Sequence, residues 1–423
     1  MPDFPKLKKV HTKRESASGT VLYLGVISND EYINDLTGPN KIEIYDKMMR
    51  SSATVSEVVE LVTLPIRSAN WEIEPASTDK KDVEVADFVK YALFDGMNIT
   101  WDALLEAALK MMPFGFSIFE KVWKEIEWNG QVKYGLNLHV IGQKTVQGWT
   151  VSTKDGKELP GVRQLTEQGH EAKLLESDIV RFTYRQTGDD FEGLSILRSA
   201  YPHWYYVNEF YRVSGAAYER TAMGIPKGKV PPNATDEQKL KFENILKNVR
   251  ANENAFLSMP DGFDVEIMDP KANSQMDPMP FIEHHNIQIA RAALVAFMHL
   301  GQAQNGSRAA SYDQSTMFEK AEEAVGRMMR DVIQKSIVRE MVDFNFDVNE
   351  YPKVTVSGIK RDDIEKLSTA MERFANGGFL TPDPTLEQHL RRRISLPEKV
   401  EEDIDVQGGV QPTDQPDPMR PAE

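Results

Sequence analysis

The stretch from Gly193 to Val342 constrains the fold of this chain more than any other. Two helix-compatible segments with little charge bracket a small mixed insert, and a polar Gly/Ser segment then leads into a long amphipathic helix. The first segment, Leu194 to Ala222, ends at Met223-Gly224-Ile225-Pro226, where Gly and Pro together stop a helix. About 29 residues at ~1.5 Å each make a rod of roughly 43 Å. Tyr201, Trp204, Tyr205, Tyr206, Phe210, Tyr211 and Tyr218 spread over most of its circumference. That is more apolar surface than one packing stripe uses, so neighbours are expected on several sides.

Between Gly224 and Pro270 the pattern predicts a compact module: Lys227-Gly228-Lys229, a Pro231-Pro232-Asn233 turn, a helix near Glu237 to Val249, and strands at Ala255–Met259 and Phe263–Met268. A second apolar helix is predicted over Pro280–Leu300. Its rise of roughly 31 Å matches a bilayer, but Glu283, His284, His285, Arg291 and His299 would be costly there. Burial between subunits of an oligomer explains the same composition. Gly301 to Ser311 has no hydrophobic period and predicts an exposed loop. From Asp313 to Phe344, Met317, Ala321, Ala324, Val325, Met328, Val332, Ile333, Ile337 and Met341 form one stripe on a long helix.

The fold class expected is α+β. Val21 to Asp190 is mixed, with helices at Asn40–Leu64 and Lys80–Phe94 and strands at Phe116–Trp128, Lys133–Val140 and Ile179–Tyr184. Strands at Asp343–Val348 and Val354–Val356 are expected to return to it. After Gly358, Arg361-Asp362-Asp363 opens a helix ending at Gly377-Gly378, and a short helix begins near Asp383. With 423 residues the chain exceeds one typical core. It has no cysteine, hence no disulfide or thiolate metal site, which fits assembly in a reducing cytoplasm. Met1 to Arg14 carries five cations and no apolar core, so it reads as a basic arm rather than a secretion signal. The segment from Gln407 onward is too polar and Pro-rich to bury a core.

Candidate sites are few. His284 and His285 point about 100° apart on a helix, poor geometry for one ion, and read as interface or surface histidines. Asp189, Asp190 and Glu192, or Asp362, Asp363 and Glu365, could supply the carboxylates of a two-metal nuclease; each group precedes a predicted helix, where acids favour the dipole, and reads as capping. Trp204, Tyr205 and Tyr206 face different ways and read as core rather than a base-stacking platform. Arg391-Arg392-Arg393 reads as a solvated face. No P-loop, Gly-x-Ser-x-Gly elbow, dinucleotide-binding turn or zinc spacing is present.

Several blocks, in order, resemble the portal proteins of tailed bacteriophages, in the branch typified by phage Mu. They are Ile44 to Arg50 with Val58–Pro65 and Trp71-Glu72-Ile73-Glu74-Pro75; Trp101 to Leu105 through Phe114–Glu120 and Trp123; Gly224-Ile225-Pro226 with Gly228-Lys229; Ala255 to Gly262; and Gly301-Gln302 with Gly306-Ser307-Arg308-Ala309. The resemblance covers nearly the whole chain. It implies a basic arm (1–20), a wing (21–193), stem helices (194–223 and 271–300) around a clip (224–270), a tunnel loop (301–312), a long wing helix with returning strands (313–358), a helical crown (359–400) and an acidic tail (401–423).

The resemblance further implies a ring of twelve subunits at one vertex of the virion capsid, assembled in the host cytoplasm. Such a ring passes double-stranded DNA without sequence preference during packaging and ejection. Its partners would be the terminase large subunit, the major capsid and scaffolding proteins, and a head-tail adaptor, with no membrane, catalytic residue, metal or cofactor. Gln302, Gln304, Asn305, Ser307, Arg308 and Ser311 would form the loop facing DNA. Lys227, Lys229, Lys239 and Lys241 would face the terminase. A net charge of -15 is unusual for a DNA-binding protein, but each phosphate neutralised adds about -0.9 to the salt slope, and a conduit must not grip. An acidic to neutral tunnel wall is therefore expected. The competing readings are a metal-dependent nuclease or terminase-associated factor built on the acidic groups, and a minor head protein without a channel.

Overall fold

The computed structural model describes residues 31, 33–152, 158–166, 169–187, 190–223, 225–248, 262–268, 277–295, 308–359 and 364–379, together with 383, 386, 387, 390 and 391. It is a mixed α/β structure. The contacts divide the chain into two units, residues 1–359 and 360–423.

The first unit begins with α1 (Asn40–Ser51) and α2 (Ala53–Arg67). The single helix expected over Asn40–Leu64 is therefore broken. Ser52 is extended (φ -121, ψ 118); its N–H closes α1 on the Met48 carbonyl and its hydroxyl accepts from Val55 N to open α2. Pro65 lies in the last turn of α2, where little of the hydrogen-bond ladder remains to lose, so the helix continues to Arg67. After β1 (Asn70–Glu74) come α3 (Lys80–Phe94), as predicted, α4 (Trp101–Leu109) and the single turn α5 (Met111–Phe114).

The centre is β2 (Phe116–Trp128), which pairs antiparallel with β3 (Gln131–Ile141) on one side and with β7 (Ile179–Thr183) on the other. Asn129 and Gly130 join β2 to β3 with φ 50 and 71. Positive φ at both central residues is what a tight type I′ hairpin needs. A second antiparallel sheet of β4 (Val146–Ser152), β5 (Glu158–Leu165) and β6 (Glu171–Leu175) was not foreseen. Pro160 and Gly161 inside β5 demote it as a strand on sequence grounds.

The helix expected from Leu194 starts only at Tyr201, as α6 (Tyr201–Met223). Ile196, Leu197 and Ala200 are instead buried in the core. Ser195 donates to the Pro113 carbonyl, and Leu194 N donates to Tyr184 O. Pro202 then occupies the first turn, where its missing N–H costs nothing. Gly115 (φ 95) and Gly193 (φ 60) make this junction possible, since a Cβ would collide with the Glu192 carbonyl in one case and the Tyr184 carbonyl in the other.

Beyond α6, β8 (Ile225–Lys229) pairs antiparallel with β9 (Asp264–Met268), and α7 (Asp236–Asn248) packs on β8. The strand expected at Ala255–Met259 lies outside the described residues. α8 (Met279–Ala292) stops eight residues before the predicted end at Leu300. Leu294 adopts φ 63, and the bonds Val295 N→Ala290 O and Leu294 N→Arg291 O close the helix in a Schellman pattern with leucine where glycine is usual.

α9 (Arg308–Ile333) begins five residues before the expected Asp313 and passes through a π-helical turn (Gln334–Val338) into α10 (Arg339–Asn345). Met317 and Ala324, expected on the buried stripe, are exposed; the seam runs through Phe318, Glu322, Val325, Met329, Ile333 and Ile337. The strand expected at Asp343–Val348 is absent. The chain is helical to Asn345, whose side-chain amide bonds both the N–H and the carbonyl of Tyr134 in β3, an edge contact made without a strand. Gln334 holds the start of β10 (Lys353–Ser357) through Pro352 O and Val354 N, and β10 pairs with β1, Trp71 opposite Val356.

In the second unit, α11 (Ile364–Asn376) ends in a Schellman cap at Gly378 (φ 71), where Phe379 N reaches Phe374 O. Near the predicted short helix, Asp383 caps Leu386 N.

Candidate functional site

α6 and α8 pack against each other, and α8 also packs on α2. The foot of α6 is tied to residues 31–36: Arg198 binds Glu31 through two 2.8 Å bonds, and Tyr201 donates to Asp35 at 2.6 Å. The Tyr201 hydroxyl is pushed up to about 12 by burial and by that carboxylate. Trp204 is 7% exposed and donates to Ser51. Tyr205 and Tyr206, read as core, are exposed, and so are Tyr211, Val213 and Tyr218. The face that buries Tyr201 and Trp204 thus loses its cover within the same helix.

The β8–β9–α7 module depends on Gly228, because Phe242 and Leu246 of α7 occupy the space a Cβ would need. Its cations are locally matched. Lys227 stands across from Glu266 and Lys229 across from Asp264, while Lys239 pairs with Asp236 and Lys241 with Glu237, each at 2.9 Å. Two of the four lysines are thus ion-paired within α7, and the other two face acids across the β8–β9 ladder.

With that geometry in view, the family described as the portal protein of Mu bacteriophage matches residues 42–396. The chain belongs to this family. Among solved structures, a chain of the virion of a native gene transfer agent particle is 16% identical, with TM-score 0.50, covering 84% of this chain and 94% of that one. A chain from the neck of an empty particle, computed with C6 symmetry, is 15% identical with the same TM-score and coverage. An HK97 family phage portal protein from Corynebacterium diphtheriae is 12% identical, with TM-score 0.43, covering 76% of this chain and 96% of that one. At these identities the likeness is one of fold.

Of the loop residues expected on this portal protein, Gln302, Gln304, Asn305 and Ser307 lie outside the described residues. Arg308 and Ser311 belong to the first turn of α9 rather than to a loop. Of the acidic residues, the two whose side chains are described, Asp190 and Glu192, do not cap a helix. Glu192 is bound by Lys41 and, at 2.9 Å, by Trp149 Nε1, while Asp190 accepts from Glu192 N; Asp189, Asp362 and Asp363 lie outside the described residues. Among the described residues no group of three or more metal-ligating side chains is assembled, and no helix is long and apolar enough to cross a membrane. Arg391 pairs with Glu387 one turn back; Arg392 and Arg393 are outside the described residues.

Two features escaped the sequence reading. His203 of α6 meets His285 of α8 at 2.9 Å. Glu322, on the buried seam of α9, is 3% exposed with Oε2 lacking a hydrogen-bond partner, and burial pushes its carboxyl up to about 8. Its spacing gave a signal, since Phe318, Glu322, Val325 and Met329 fall on one helical face.

Proposed function

We propose that copies of this chain, twelve in the arrangement the family suggests, close into a ring at a single capsid vertex. The ring is a passive, gated channel for double-stranded DNA in packaging and ejection, and a platform for the terminase large subunit, capsid and scaffolding proteins, and a head-tail adaptor. The observation that carries this reading is the family match over residues 42–396. The exposed outer half of α6 supports it, because a helix with Tyr211, Val213 and Tyr218 in solvent suits burial against a second copy. In this reading α6 and α8 are the stem, β8–β9–α7 the clip, residues 301–307 before α9 the tunnel loop and α11 part of the crown.

The charge pattern supports sliding over gripping. The chain carries a net -15, and the four clip lysines are matched by acids. A ring built this way offers the phosphate backbone few repeated cations, so water and small ions separate wall from duplex. The chain supplies no chemistry of its own in this role; hydrolysis belongs to the motor. Electron microscopy of the purified protein tests the proposal. The expected result is rings with a central hole wide enough for a duplex. Deleting residues 302–307 is expected to leave those rings intact and to impair packaging or retention of DNA. Monomers alone under assembly conditions would remove the ring, and normal packaging by the deletion would remove the gate.

A further inference from the structure

The seam between α6 and α8 carries chemistry that a passive channel does not use. His203 Nδ1 and His285 Nδ1 lie 2.9 Å apart, with ring centroids separated by 5.2 Å. Two imidazole nitrogens at that distance share one proton: one ring donates, and the other accepts through a bare lone pair. The pair accommodates no charge or one. A second proton would set two N–H groups and two positive charges against each other.

The surroundings fix the rings without neutralising them. Tyr206 stacks on His285 at 5.5 Å and Phe210 at 5.9 Å, and Phe210 stacks in turn on Phe281. His284 lies edge-on to His285 at 5.3 Å. Both rings of the pair are held below the ordinary histidine value. For His203 the causes are burial, then His285 and His284; for His285 they are burial, then His284.

Among the described residues, no carboxylate is among the causes that shift either ring. On α6, Glu209 is engaged by Arg212. On α8, Glu283 and Arg291 are exposed. On α2, Arg67 is paired with Asp102 and Glu106, and Glu57 and Glu60 are exposed. On α1, Lys47 lies over the Trp204 ring and Asp46 is held by Arg50 and Lys144.

We propose that the His203–His285 pair is a proton-operated lock on the α6–α8 seam: with one proton between the rings, in the neutral or the singly charged pair, the helices are tied, and with a second between them they are driven apart. The lock is a property of the protomer and does not rest on the ring. The folded chain binds the second proton more weakly than the unfolded chain does. The stabilisation is therefore complete above the ordinary histidine range and is lost as pH falls below it.

Hydrogen exchange read by mass spectrometry at about pH 7.5 and about pH 5, corrected for intrinsic rates, tests this on the full chain. Peptides from 201–223 and 279–292 are expected to exchange roughly tenfold faster at the lower pH, with no acceleration in the β2–β3 hairpin. His203→Asn places a non-ionising amide near the same position and is expected to abolish that acceleration. An α6–α8 exchange rate that ignores pH in the wild type, or an equal response in the variant, would overturn the proposal. If His203→Asn does not fold, His285→Asn takes its place. If neither folds, the wild-type profile decides: acceleration confined to α6 and α8 supports the lock, and acceleration shared equally with β2–β3 refutes it.

Discussion

The body around β2 and the outer half of α6 use the same kinds of residue in opposite ways. In the body, Phe119 and Phe182 are fully buried and meet edge to face at 5.8 Å, and Trp123 meets Phe344 at 4.4 Å. On α6, Tyr211 and Tyr218 stand in solvent, Tyr218 at 57% exposure. Buried aromatics add directional ring contacts to the area they remove from water; exposed ones add nothing to the protomer until something covers them. The first region thus stabilises a single chain, and the second leaves its apolar surface in solvent, where the ring proposed above would cover it.

That contrast is open to direct attack. The largest effect is expected from Phe119→Ala, which leaves a cavity beneath β2 and should cost the protomer ~3–5 kcal/mol in denaturant unfolding. A cost under about 1 kcal/mol would show that the sheet is not the stabilising centre.

Glu322 comes next, because it is the flaw in the body. Its carboxyl is raised from the ordinary 4.5 to about 8 by burial. Between those values the folded chain keeps a proton that the unfolded chain releases, so stability falls as pH rises. Glu322→Gln removes that slope. It should match wild type near the lower value and exceed it above the upper one by on the order of 3–5 kcal/mol, read as denaturation midpoint against pH. Parallel pH profiles would mean that the buried carboxyl finds a partner.

A smaller effect, of the opposite sign to a core deletion, is expected at the end of α8. Leu294 is held at φ 63 with its side chain half exposed, so Leu294→Gly relieves backbone strain while losing little packing. It should raise protomer stability by about 1 kcal/mol, measured by thermal unfolding. Destabilisation would show that the leucine side chain holds the cap. The smallest effect on the protomer belongs to Tyr218→Ser, within about 0.5 kcal/mol. The same substitution should lower the fraction of assembled rings in sedimentation. A variant that assembles normally would remove the reserved surface from the argument.

Sequence reading found elements wherever local pattern and local termination agreed. α3 was legible to the residue, as was β2, and α11 ends at Gly377-Gly378 because the glycine cap is a local device. Where tertiary contacts end an element, the reading failed. Leu194 to Ala200 is helix-compatible, yet the core takes Ile196, Leu197 and Ala200 while Ser195 bonds Pro113, and the helix waits for Pro202. Phe344 and Phe346 look strand-like, but Asn345 supplies the edge contact from a helix end. The candidate site was legible only as an order of segments, because the proposed function rests on surfaces, whose exposure depends on packing rather than on local pattern.

By itself the sequence determined which family the chain belongs to and the succession of its helices and strands, since periodicity and caps act over a few residues. Only the tertiary structure decided that His203 lies against His285 and that Lys227 and Lys229 stand across from Glu266 and Asp264. Those pairings join positions far apart in the chain, and no local propensity carries information about them.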